Sequence, residues 1–337
     1  MSTSVFPFSS SIKPLLLALI LTPLPVLHAD DWTLGRTIDG QPNLQGVWAN
    51  NSITPEERPE FFGTRETMTE EEMQFLARRV EEIQSDGDAL FGDSLLNAAF
   101  SGNESSRDTE TGNYDQQWMA HRTLHNRTSQ VIDPPNGRYP QKTAQALLHA
   151  AELRAYAEQH PADSWLDRSL SERCVHRGVP NLRAGYNSFW QIIQSRDHVA
   201  IVQEMFHDVR PIPLVAKPPL NENIRLWNGS SRGYWDGDIL VIDTKNFNEK
   251  SDPGLDTVAR VYQERFTRIS ADQLQYDIHV IDPGTYVANY IRRIIFDSSR
   301  GEIYEYACHE GNYGMRNILS GHREEERRAL EVSQSND

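Results

Sequence analysis

The chain is poor in cysteine, has no block of basic residues and, beyond its N-terminus, shows no long apolar run. Each shortage narrows the possibilities. Two cysteines, Cys174 and Cys308, stand far apart in 337 residues, so they lack the short spacing of a zinc site. The formal net charge of −15, with no Lys/Arg block standing out, repels a phosphate backbone, and no nucleic-acid partner is expected. No stretch after the N-terminus reaches the roughly 18 apolar residues that cross a bilayer, so no membrane span remains once a leader is removed. Gly-x-Gly-x-x-Gly and Walker loops are absent, and no nucleotide cofactor is expected. A serine hydrolase fits poorly. His207, His279, His309 and Glu310 lack His-Glu-x-x-His or any other short ligand spacing, so no metal is expected either.

What is present begins with a leader. Lys13 precedes the apolar run Leu15 to Leu21, and small Ala29 stands before Asp30 and Asp31, the layout of a signal peptide over 1–29. This layout implies a periplasmic or secreted protein. In an oxidising compartment, Cys174 and Cys308 are expected to form one long-range disulfide, with Cα atoms within about 7 Å.

Residues 30–187 predict an extended and helical region packing on the β-rich remainder of the chain. A short strand is expected over Gln45 to Trp48. Thr69 with Glu72 three residues on predicts a capped helix to about Ile83. Ser85 to Gly112 is polar, without a period, and reads as a surface loop. A strand ends in the Pro-rich turn Asp133 to Gly137, Gln141 to His160 is Ala-rich with helical spacing, and Leu166 to Pro180 is a loop containing Cys174.

From Ser188 the period changes towards two. Strands are predicted at Phe189 to Gln194, His198 to Phe206, Val209 to Leu214, Ile239 to Thr244, Val258 to Ile269, Gln273 to Ile281, Tyr286 to Phe296 and Glu302 to His309, joined by turn residues such as Asp236-Gly237-Asp238. The fold class is mainly β with accessory helices. Over 188–322 an antiparallel meander closes into a lipocalin-like barrel or a strongly curved sheet, because an open sheet of this size exposes its edges. The charged tail, 323–337, is expected to fray.

Several stretches carry a family resemblance: Gly46-Val47-Trp48, Thr54-Pro55 to Pro59, Arg127-Thr128-Ser129 to Gly137, Glu172-Arg173-Cys174 to Pro180, Trp235-Asp236-Gly237-Asp238 with Asp243 to Phe247, and Tyr306 to Tyr313. On these the chain resembles a widespread, functionally uncharacterised family of exported bacterial proteins. The resemblance implies export and a β-rich core, and it carries over no catalytic residue.

Alternate strand residues share a face. Leu274, Tyr276, Ile278 and Val280 make an apolar face, which leaves His279 on the other. Arg260, Tyr262, Glu264 and Phe266 align; Glu305 and His309 share a side; Glu204 falls beside Val202 and Phe206. Polar faces turned inward would bring Glu204, Glu264, His279, Glu305 and His309 together, and a desolvated carboxylate near a histidine suits acid–base work. The candidate catalytic residues are His309, oriented by Glu310, with Glu204 from the same inward set, and a second candidate at His207-Asp208 with Arg210 beside it. Glu264, His279, Glu305, Tyr313 and Arg316 are the candidate substrate contacts, the last two for an anionic intermediate. Against this stands the ordinary fate of polar strand faces, which is to meet water. The expected function is a cofactor-independent lyase, isomerase or hydratase acting on a small molecule in the barrel; the rival is a carrier of such a ligand.

Overall fold

The strand periodicity is realised as one antiparallel sheet. The computed structural model of the protein describes residues 32–85, 122–215, 218–252, 255, 258–299 and 301–335. The expected leader and the expected loop beyond Ser85 fall outside them. The strands are β1 (Gly46–Ala49), β2 (Val131–Asp133), β3 (Phe189–Gln194), β4 (His198–Gln203), β5 (Asp208–Pro213), β6 (Ser230–Asp236), β7 (Ile239–Lys245), β8 (Val261–Arg268), β9 (Gln273–Ile281) and β10 (Tyr290–Ser299). Their order is β5-β4-β3-β1-β10-β9-β8-β7-β6, with β2 also on β10. Two strands from the N-terminal region therefore belong to the sheet, and β1 joins its two halves.

One face of most of the strands supplies the core. Trp48, Trp190, Ile192, Ile201, Ile212, Leu240, Ile242, Phe266, Tyr276 and Phe296 are all essentially inaccessible. Trp190 lies edge-on to Tyr276 and Phe296, with ring centroids 5.5 and 5.0 Å away. Into the same face are set Arg210 of β5 and Glu264 of β8, joined by two hydrogen bonds of 2.5 and 2.8 Å. In a flat sheet these strands, six positions apart in the order, would stand roughly 29 Å from each other. Direct contact between them means that the sheet is strongly curved and folded over its own apolar face.

Of the two expected forms the curved sheet is found and the closed barrel is corrected: no ladder joins the edge strands β5 and β6. They meet through side chains instead. A Cβ on Gly233 of β6 would come within 2.9 Å of Ile212 Cγ2, so glycine is required there for the approach. Pro211 and Pro213 of β5 have no N–H to offer a further strand, which ends hydrogen bonding at that edge. The expected strand Glu302 to His309 is a second correction, since the segment carries no ladder. Both sides of β10 are already taken, by β9 on one and by β1 and β2 on the other. A third concerns the tail: α3 (Tyr313–Ser335) is helical almost to the C-terminus. Arg327 and Arg328 bond Glu324 at helical spacing, small gains that add along the helix.

Two helices fall where the sequence places them. In α1 (Glu70–Ser85), Thr69 and Glu72 exchange the two bonds of a capping box, 3.2 and 2.8 Å. α2 (Ala144–Gln159) is capped by Thr143. Beneath α1, Ile53, Phe62, Met68, Leu76 and Val80 form a second, smaller core.

Removing one partner of the pair inside the sheet should expose its importance. Burial disfavours the charge on Arg210, but Glu264 outweighs this and holds the guanidinium above its usual value. Glu264→Gln leaves that charge without a counterion and should cost about 3–5 kcal/mol in chemical denaturation. A loss below about 1 kcal/mol would mean the pair does not hold the curl.

Candidate functional site

Among the described residues, the space over the sheet's apolar face is taken up by aromatic side chains and an ion pair. Glu264, which the sequence offers as a substrate contact, spends its carboxylate on Arg210, on Tyr276 (2.9 Å) and on Thr244 (3.4 Å). The expected inward meeting of Glu204, Glu264, His279, Glu305 and His309 does not occur. His279 lies on the opposite face of β9, beside Gln263 and Ile291 across the strands. Glu305, His309, Glu310, Tyr313 and Arg316 are exposed, in the segment after β10 and at the start of α3. No strand carries Glu305 and His309, so the face they were to share is lost with it.

Glu204 and His207 flank the tight turn that follows β4. The period of two stops at Gln203, and Phe206 and His207 adopt left-handed backbone (φ 64° and 53°). Glu204 therefore shares no strand face with Phe206. It is buried, one carboxylate oxygen accepts from Tyr304 N at 3.3 Å, and the other has no partner. Burial raises its pKa, and the nearby donors of Tyr304, Phe189 and Asn187 only partly offset this. His207 is exposed. Its neighbour Asp208 opens β5, and burial pushes that carboxyl up to about 6 despite a bond from Asn228.

The disulfide is formed between Cys174 and Cys308, with Cα atoms 5.7 Å apart. It fastens the 166–180 loop to the segment before α3, and Asn312 Nδ2 adds bonds to Glu172 O and Cys174 Sγ. Among the described residues, Asp163, His322 and Glu326 are the one group of potential metal ligands within 4.8 Å of one another. His207, His279, His309 and Glu310 form no such group. Gly229-Ser230-Ser231-Arg232-Gly233 has the Gly-x-Ser-x-Gly spacing of a nucleophile elbow, but Ser231 sits in β6 and bonds Thr244 Oγ1 at 2.8 Å. No strand-to-helix turn presents it.

The cleft with the most distinctive chemistry lies outside the sheet. About 510 Å3 in volume, it is bounded by residues 52–56, Arg122, Gln130, the stretch 177–186 and Met205. Gln130 accepts from Arg292 of β10 at 2.5 Å, and Arg292 also bonds Glu56, so the cleft abuts the sheet at β10. Arg122 is 4 % exposed; it donates to the carbonyls of Asn51 (3.2 Å) and Ser52 (3.4 Å), and its Nη1 has no partner. Burial pulls its pKa down to about 10, with no carboxylate opposing the shift. Arg177 is lowered too, by burial and then by Arg183. Glu56, the carboxylate in this lining, is engaged by Arg292 and by the Tyr139 hydroxyl (2.8 Å). Ile53, Leu182, Ala184 and Met205 supply an apolar wall.

Arg122, Arg177 and Arg183 are missed by sequence reasoning because strand faces were the guide, and none of the three lies in a strand. The clustering of Arg168, Arg173, Arg177 and Arg183 around Cys174 was the available signal.

The raised Asp208 gives a pH test. A carboxyl whose pKa rises on folding binds its proton more tightly in the native state. Its contribution is therefore lost as pH climbs from about 4 to about 6. Asp208→Asn should melt like wild type near pH 4 and higher above pH 7, by on the order of 1 kcal/mol after allowance for partial exposure. Equal melting at both pH values would contradict the shift. Comparison with protein-family models, curated proteins and solved structures gives no match to this chain.

Proposed function

We propose that this is an exported protein that binds a small organic molecule carrying an acidic group, in the cleft lined by Arg122, Arg177 and Arg183. The carrying observation is Arg122. A buried cation is normally paired, since desolvating a lone charge costs several kcal/mol. Arg122 has no carboxylate partner among the described residues, in a chain with 48 acidic against 33 basic side chains. An incoming carboxylate or phosphate group supplies the missing charge, and guanidinium donors suit it. The volume is ordinary for small-molecule sites, and the apolar wall suits the rest of such a ligand. Three stretches that carry the family resemblance also contribute to the lining, through Thr54 and Glu56, Gln130, and Arg177. The disulfide and the leader-like sequence of 1–29 support a periplasmic or secreted location. Among the described residues no helix is long and apolar enough to cross a membrane. With the sheet interior filled, the ligand cavity of a lipocalin-like barrel is replaced in this reading by the lateral cleft.

Titration with a panel of aryl and alkyl carboxylates and phosphates tests the proposal. Arg122→Met should weaken binding by about tenfold to a hundredfold, the worth of a charge-assisted hydrogen bond. Its melting temperature without ligand should stay level or rise, because an unpaired buried charge is gone. Unchanged affinity would refute the site. Arg177→Ala, on a less buried residue, gives the same readout if Arg122→Met does not fold.

A second reading, catalysis by general acid–base chemistry, is favoured by Glu204. Its carboxyl is desolvated, half unpartnered and one residue before Met205, which lines the cleft. If Glu204 moves protons, a bound carboxylate incubated with the protein in deuterated water should gain deuterium. Glu204→Gln should lose that exchange about 100-fold or more. No exchange with the wild type leaves the protein a carrier.

A further inference from the structure

Beside the first cleft lies a second, of about 600 Å3, between the 166–178 loop and residues 250–252. Arg177 and Arg183 line both, so the two clefts adjoin at these side chains. The second lining also holds Arg173 and Lys250. Arg173 rests on the Trp165 ring at 4.6 Å, and neither it nor Lys250 has a carboxylate partner among the described residues. Chance does not favour this. Carboxylates outnumber cations in the chain, and most other arginines that are buried or half-buried have found one, as Arg210, Arg260, Arg292 and Arg293 have.

Two side chains in this lining are more than nine-tenths buried and have a polar atom without a partner. His176 accepts from Gly178 N at Nδ1, 2.8 Å away, so the neutral ring carries its proton on Nε2, and no acceptor meets it. Burial lowers the pKa of this ring, against the pull of Asp252, which keeps it the neutral donor. The hydroxyl of Ser251 likewise has no partner. The carboxylate in the lining, Asp252, faces Arg260 at 3.4 Å. Cationic side chains thus outnumber carboxylates in both linings, and Arg177 and Arg183 border both clefts.

Resting on the binding role proposed for the first cleft, we propose that the ligand carries two acidic groups. One is held at Arg122, and the other in the second cleft by Lys250 and Arg173, with Arg177 and Arg183 between them. A molecule with a single acidic group satisfies only the first cleft. The second group is a carboxylate or a phosphate-like oxyanion, both of which accept from guanidinium, ammonium and neutral N–H or O–H donors.

The test uses the full mature chain and three sets of probes: linear monocarboxylates, α,ω-dicarboxylates, and ω-phosphonocarboxylates, each in a series of increasing chain length. At the length that matches the span, a doubly acidic probe should bind about tenfold or more tightly than the matched monocarboxylate. Lys250→Ala, at an exposed position, should erase that gain, leave the monocarboxylate affinity unchanged and leave the melting temperature unchanged. Whichever doubly acidic series binds more tightly identifies the second group. If doubly acidic probes bind no better at any length, or Lys250→Ala weakens both kinds equally, the two-group ligand is refuted while the binding role of the first cleft stands. If no series binds at all, the role of the first cleft falls, and this inference with it.

Discussion

A buried charge pair holds strands together that the sheet's order keeps far apart. Arg210 and Glu264 belong to β5 and β8, and their two hydrogen bonds close the space over the apolar face. Tyr276 and Thr244 satisfy further capacity of the carboxylate, and Ser231 bonds Thr244 in turn. Such a network is costly to desolvate and strong only when complete. Around it pack Trp190, Phe266, Tyr276 and Phe296, whose rings supply the apolar burial that offsets the cost.

Curling without closure has a consequence for function. A closed barrel of similar strand number can keep a ligand inside, but here the enclosed space holds the ion pair and the aromatic rings. The segments outside the sheet, which lack a regular ladder, are left to make the recesses. Residues 52–58 and 126–139 are anchored by Arg58, which bonds Thr128 Oγ1 and Pro135 O, and by the contact of Glu56 and Gln130 with Arg292. The 166–180 loop is anchored by the disulfide. Loops fixed in this way on a rigid sheet are a usual place for binding groups.

The two sets of arginines differ in their partners, and under the proposed binding role they would take opposite roles. Arg210 and Arg292 meet carboxylates inside the fold and serve stability. Arg122 is as buried as either and meets only carbonyls, while Arg177 and Arg183 have each other for neighbours. In an acidic protein, cations kept without counterions cost stability, and that cost is understandable where a ligand supplies the missing charge.

By itself the sequence determined the local structure. Alternation placed β3, β4 and β7 to β9 within a residue or a few, Thr69 with Glu72 marked the start of α1, and the Ala-rich run 141–160 contained α2. These features depend on neighbours two to four residues apart, which a sequence shows directly. A cysteine count of two, with the expectation of an oxidising compartment, sufficed to predict the pairing of Cys174 with Cys308. Only the tertiary structure decided which strand pairs with which. β1 takes the edge of β10, which left Glu302 to His309 without a partner and dispersed the expected cluster around His309. It also decided which polar residue meets which. Glu264 looks like a site residue along β8 until Arg210 arrives from the far edge of the sheet. Arg122 looks ordinary until burial leaves it without a counterion. Both outcomes depend on contacts between residues 54 or more positions apart, or on the lack of one, and no local pattern encodes them.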